Sequence, residues 1–235
     1  MRKNFLKNFN FYLKKYGIFR TSIYILSKIG IVFYFRKFNF LEKVLCDDTN
    51  GFNNGNSAIT KEIKNESDLM SIKDYFDGWY NKKRALKYLK DGHRLYVTSI
   101  NTIVINYIWI DDQAVDLPYF EGNFILPRHS ACLRYTYTIP SQRNKGFMKL
   151  SKKTILAELK KEGYQRMLTF VEPKNLISLK VNEKLGFVLY QTCIFIRIIF
   201  LKLCVCFNVR NKKKKVFFYS GKKGKEIFNC YSNLL

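Results

Sequence analysis

The stretch IPSQRNKGFMKL, residues 139–150, joins an alternating apolar run to a lysine-studded helical pattern. A helix start carries unpaired main-chain N–H groups and the positive end of the helix dipole, and a glycine there lets an anion approach the backbone. The proline, the cations Arg143 and Lys145 and the single Gly146 therefore read as a strand-to-helix turn suited to a phosphate. Upstream, residues 131–139 alternate, with Ala131, Leu133, Tyr135, Tyr137 and Ile139 on one face and Cys132, Arg134, Thr136 and Thr138 on the other. Downstream, a helix is expected to about Glu162, with Met148, Ile155, Leu156 and Leu159 on one stripe and Gly163 at its end. Residues 166–171 read as a strand, 173–185 as a helix with Pro173 in its first turn, and 187 onward as another strand. Strand, glycine turn, helix, strand is a parallel crossover unit.

Ahead of this unit, residues 94–100 and 102–110 flank Asn101 as a hairpin. Residues 58–63 read as a strand, 67–76 as a helix capped near Ser67 or Asp68, 81–90 as a helix closed by Asp91-Gly92, and 111–118 as loop. The turn-rich DDTNGFNNGNS, residues 47–57, reads as a linker. It separates a basic extension, 1–46, from a main domain, 58–208, followed by a basic C-terminal segment, 209–235. In residues 3–29, Phe5, Phe9, Tyr12, Leu13 and Tyr16, and then Ile23 and Leu26, recur at helical spacing among lysines, which predicts two amphipathic helices. A short strand over 32–38 follows.

The formal charge of +24 is concentrated at the ends, where residues 1–45 and 191–235 each carry ten Lys or Arg against one acid. Basic, aromatic-rich ends suit an anionic membrane surface better than nucleic acid, although a composition rich in Lys, Asn, Ile, Phe and Tyr also follows from an A/T-biased genome. No secretory signal is visible, and the longest apolar runs fall short of the ~20 residues that span a bilayer, so the expected location is cytoplasmic, peripheral to a membrane. Of six cysteines only Cys204 and Cys206 are close in sequence; with neither a second pair nor histidines nearby, no metal site is expected.

Residues 131–187 resemble the acyl-CoA-binding half of the GNAT superfamily of N-acetyltransferases. One matching piece is Arg143-Asn144-Lys145-Gly146-Phe147-Met148; the more specific one is NLISLKVNEKLGF, residues 175–187, with Asn175, Ser178 and the Leu185-Gly186-Phe187 ending. The resemblance implies an α/β (α+β) fold, a mixed, centrally splayed sheet flanked by helices, with acetyl-CoA as acyl donor. It places the pyrophosphate of coenzyme A on the main chain of Asn144, Lys145, Gly146, Phe147 and Met148, with Arg143 and Lys145 neutralising charge. It lays the pantetheine arm along the strand edge at Tyr137, Thr138 and Ile139, with Asn175 and Ser178 opposite. It also implies direct transfer in a ternary complex to an amine that must first lose a proton, for which Glu172 and Glu121 are the candidate bases. His129 and His93 are further acid-base side chains, the second read as a helix-end residue. Two positions depart from the family pattern: Met148 replaces a small residue, and Asn182 stands where many members carry the tyrosine that protonates the leaving thiolate.

The expected function is thus N-acetylation of a small-molecule or glycan amine. The segment KYGIFRTSIYILSKI, residues 15–29, loosely resembles acetyltransferases of surface-polysaccharide clusters, which points to an amino-sugar acceptor. The alternative is a non-catalytic module of the same fold that uses its basic ends on anionic lipid or nucleic acid.

Overall fold

The computed structural model describes residues 33–46, 58–72, 82–117, 122–198, 201–209, 212, 214–220 and 226–228. The expected amphipathic helices at 3–29 and the linker at 47–57 lie outside the described residues. In chain order, β1 (Phe33–Val44) and β2 (Ala58–Ile63) precede two helices, α1 (Glu66–Ser71) and α2 (Lys82–Lys90). Asn65, not Ser67 or Asp68, caps α1, its side chain accepting from the Asp68 N–H at 2.8 Å. The hairpin of β3 (Arg94–Ile100) and β4 (Ile103–Asp111) turns on Asn101 and Thr102, both at positive φ, as a two-residue turn between twisted antiparallel strands requires. Where loop was expected from residue 111, β5 (Ala114–Leu117) and β6 (Gly122–Ile125) form instead, because Val115 and Phe124 bury into the core.

The predicted crossover follows: β7 (Ser130–Thr138), a 3-10 turn (Pro140–Gln142), α3 (Phe147–Lys161) and β8 (Arg166–Val171). Gly163, at positive φ, ends α3 as expected, with Tyr164 N–H returning to Leu159 O. Then come α4 (Leu176–Glu183), β9 (Val188–Ile198), β10 (Leu201–Asn208), β11 (Lys214–Ser220) and β12 (Glu226–Phe228). Among the described residues nine strands form one mixed sheet in the order β11-β10-β9-β1-β8-β7-β4-β3-β2, and β12-β6-β5 form a second, smaller one.

Helices α3 and α4 cover one face of the large sheet, where Ile155, Leu156 and Leu159 pack with Ile108, Ile110, Leu133 and Met167. On the other face Leu69 of α1 and Ala85 of α2 meet Leu95, Val97 and Trp109, while Phe124 of the small sheet stacks on Phe40 at 5.0 Å. A buried polar knot fixes the start of α3: Ser151 Oγ lies 2.5 Å from Thr98 Oγ1 and accepts from Asn106 Nδ2 at 2.8 Å.

The strand expected at 32–38 is longer and lies inside the sheet. β1 pairs antiparallel with both β8 and β9, so residues 33–44 belong to the main sheet and not to a separate extension. Its two faces are buried, Phe38 and Phe40 in one core and Leu41 in the other. The basic tail likewise contributes β11 to the sheet edge and β12 to the small sheet. Among the described residues no helix is long and apolar enough to cross a membrane.

Candidate active site at the splayed strands

β7 and β8 pair in parallel only from Ser130 and Arg166 to Leu133 and Thr169, where Thr169 Oγ1 donates to Leu133 O at 3.2 Å. Beyond Leu133, β7 runs on against β4 alone, leaving its β8-facing main chain open. A bulge sits at the point of separation. Thr136 pairs with Ile108 but Leu133 with Ile110, so Arg134 and Tyr135 together oppose Trp109. An extra residue of this kind bends a strand and re-aims its side chains.

The single alternation expected across 131–139 is therefore broken. Ala131 and Leu133 face α3 and α4, whereas Tyr135 and Tyr137 join the core beneath α2. Thr136, whose cross-strand partner Ile108 faces α3, is exposed although its strand lies within the sheet, which marks an uncovered cleft on the α3 side. Thr138 and Ile139 continue the edge toward the turn; Thr138 O accepts from Arg143 Nε at 3.0 Å, and the Arg143 guanidinium lies over the Tyr137 ring.

In the turn Asn144 and Gly146 both adopt positive φ, and Gly146 is the N-cap of α3. Arg143, Asn144, Lys145 and Gly146 are exposed, with Lys145 Nζ donating to Gln142 Oε1 at 3.0 Å. The first main-chain bond at the helix start is Leu150 N–H to Gly146 O at 3.0 Å; among the described residues the N–H groups of Asn144 through Met148 meet no protein acceptor. A Cβ on Gly146 would touch nothing within 4 Å, so φ, not crowding by protein, demands glycine here, and the space above it is open to a ligand. Phe147 is buried, and Met148 turns its side chain into the core beneath α3, away from the open side. These features fit a pyrophosphate: unpaired N–H groups, a helix start and two exposed cations around an open glycine.

The other expected residues divide. Asn175 caps α4, its Oδ1 accepting from Ser178 N–H at 3.1 Å, so its side-chain oxygen is engaged locally. Glu172 follows β8 beside the splay and pairs with Arg36 of β1 at 2.7 Å through Oε1. Glu121 lies outside the described residues. His129 is an exposed turn residue at positive φ, whose carbonyl accepts from Gln165 N–H.

Two arrangements were not foreseen. Asp111, read as loop, is buried at the end of β4; His93 Nδ1 lies 2.6 Å from its Oδ1 and Arg134 of the bulge 3.5 Å from its Oδ2. Tyr88 of α2 packs on His93 and faces the Arg134 guanidinium. The bulge thus anchors a buried charge cluster on the face opposite the cofactor cleft. On the cleft side, Lys152 of α3 is buried and donates from Nζ to Asn182 Oδ1 at 2.7 Å. Burial pushes the Lys152 ammonium down to about 8. Its spacing carries a signal, since position 152 falls four residues after Met148 and four before Leu156 on the buried stripe of α3.

The acetyltransferase (GNAT) family profile matches residues 62–187, more than half of the chain. The chain belongs to the GNAT acetyltransferase family. The match takes in the splay, the anion turn and α4, and leaves β1 outside it. No curated protein sequence matches the chain. Among solved structures, a Drosophila protein is 12% identical, with 78% of this chain and 58% of that one covered at a TM-score of 0.48. An aminoglycoside N-acetyltransferase solved with CoA is 17% identical, with 58% and 91% covered at 0.43. The ribosomal-protein-S18-alanine N-acetyltransferase of Escherichia coli is 14% identical, with 55% and 78% covered at 0.41. The chain spans less than two thirds of the length of the Drosophila protein.

Proposed function

We propose that this GNAT chain transfers an acetyl group from acetyl-CoA to an amine, and that the acceptor is an amino sugar of a surface polysaccharide. The observation that carries the transfer reading is the open edge of β7 beyond Leu133, next to an exposed helix start whose glycine has free space above it. Bound acetyl-CoA supplies an activated thioester carbonyl. The main chain of Asn144 through Met148, with Arg143 and Lys145, holds its diphosphate. The β7 edge at Tyr137, Thr138 and Ile139 receives the amides of the pantetheine arm as it would an added strand. The extra residue of the bulge aims a main-chain N–H at the carbonyl oxygen where charge develops. Glu172, with one carboxylate oxygen held by Arg36, takes the proton of the attacking amine through its other oxygen. The amino-sugar reading is supported by residues 15–29, which resemble N-terminal segments of acetyltransferases of surface-polysaccharide clusters. The basic N-terminal residues hold the protein at the cytoplasmic face of an anionic membrane, beside a lipid-linked acceptor.

Thiol release from acetyl-CoA, measured across a panel of amino sugars, peptides and simple amines, tests the reading. Release is expected with an amino sugar and not with its N-acetylated form, and Glu172→Gln is expected to lower kcat about 100-fold with little change in KM for acetyl-CoA. Release with no amine would overturn it. Asn182 favours a second reading, cofactor binding without transfer, because an amide tied to Lys152 cannot protonate a thiolate. Coenzyme A binding without thiol release is the result that reading predicts.

A further inference from the structure

Cys193, Cys204 and Cys206 are scattered in the sequence, and the fold brings them together. Cys193 on β9 is the cross-strand partner of Cys206 on β10, and Cys204, two residues before Cys206, points to the same face. All three are thiols buried in one core with Phe38 and Phe195. The three Sγ atoms lie within 4.8 Å of one another, with Cys204 and Cys206 at 3.7 Å.

We propose that these three thiols bind one thiophilic d10 cation, Zn(II) or Cu(I), as a site separate from the acetyl-transfer centre. The geometry is close to what such an ion needs. A metal with bonds to sulfur of about 2.3 Å, at the centre of three thiolates, holds the sulfurs about 4 Å apart. One separation is 3.7 Å and none exceeds 4.8 Å, so small rotations about the Cα–Cβ bonds bring the sulfurs to that spacing. A second observation points the same way. Gln191 is buried on the same face of β9 and donates from Nε2 to Cys193 Sγ at 3.3 Å, the kind of outer hydrogen bond that supports a thiolate ligand. Its Oε1 is buried with no hydrogen-bond partner among the described residues, and a turn of the amide, in exchange for that hydrogen bond, offers the oxygen as a fourth ligand instead. Each thiol that binds releases its proton to solvent, and three thiolates leave a Zn(II) centre with a single negative charge. A bound ion would tie β9 to β10 in the half of the sheet farthest from the anion turn.

The full chain, purified reduced and without oxygen, is loaded separately with Zn(II) and with Cu(I), desalted, and measured for metal content and for X-ray absorption at the metal edge. One ion per chain with a sulfur shell at about 2.3 Å is expected. The arm that retains metal through desalting identifies the ion. The variant Cys46→Ser, Cys132→Ala, Cys230→Ser should retain it, whereas Cys204→Ser and Cys206→Ser should each reduce retention at least tenfold. Because buried serines can unfold a chain, unfolding of the unaltered protein is also followed with and without metal, and a Tm rise of several degrees, reversed by chelator, is expected. Loss of the ion from the unaltered chain on desalting, a shell of nitrogen and oxygen only, or equal retention by the Cys204 and Cys206 variants would overturn the proposal. A failure here leaves the acetyl-transfer reading intact, since no cysteine takes part in it.

Discussion

Gly146 and Lys152 stand six residues apart and carry opposite kinds of strain. At Gly146 the left-handed backbone excludes other residues while the space around it stays open. Gly146→Ala should therefore cost about 1–2 kcal/mol from the backbone alone, read from urea unfolding, and should weaken coenzyme A binding as well. Lys152 is a buried amine whose proton is held less tightly than in the unfolded chain. Between about 8 and its ordinary range the unfolded state binds more protons, so stability gained from Lys152 rises with pH over that window and its penalty is complete below it. Relative to Lys152→Met, the unaltered protein should gain on the order of 3 kcal/mol between pH 7 and pH 10, measured by denaturant unfolding at both. The reason Lys152 escapes a sequence reading is visible in the same helix: lysine is so frequent there that a buried one looks like its solvated neighbours.

At the scale of elements, the crossover from β7 through α3 to β8 was legible nearly to the residue, because glycines mark both ends of α3 and the strands are apolar. The bulge was not. Arg134 and Tyr135 oppose one residue of β4, and nothing in an alternating string shows where the alternation slips. That slip turns Tyr135 and Tyr137 to the core beneath α2 and buries Arg134 beside Asp111. Arg134→Met should remove the guanidinium and leave His93 as the partner of the buried Asp111 carboxylate, at a cost of about 3 kcal/mol, seen as a lower urea midpoint at unchanged m-value. Asn175, assigned to the cofactor by resemblance, also caps a helix through its side-chain oxygen. Local backbone need and ligand need draw on the same side chains, and the sequence alone does not separate them.

Across the whole molecule, the sheet depends on a strand that precedes residues 47–57. β1 occupies the position between β8 and β9 and buries Phe38, Phe40 and Leu41 on both sides. Its charged residues, Arg36, Lys37, Glu42 and Lys43, disguise an interior strand as part of a basic extension. A chain beginning at residue 47 keeps every residue of the family match yet should lose cooperative unfolding, checked by urea titration with tryptophan fluorescence. The net charge, by contrast, says little about the site, which is decided by the geometry of a few main-chain groups at the turn and the splay. Isothermal titration of coenzyme A into the full chain tests that geometry most directly. One site per chain is predicted, with at least tenfold weaker binding for the fragment that lacks the adenosine diphosphate moiety. Absence of heat at millimolar coenzyme A, or equal binding of that fragment, would contradict it.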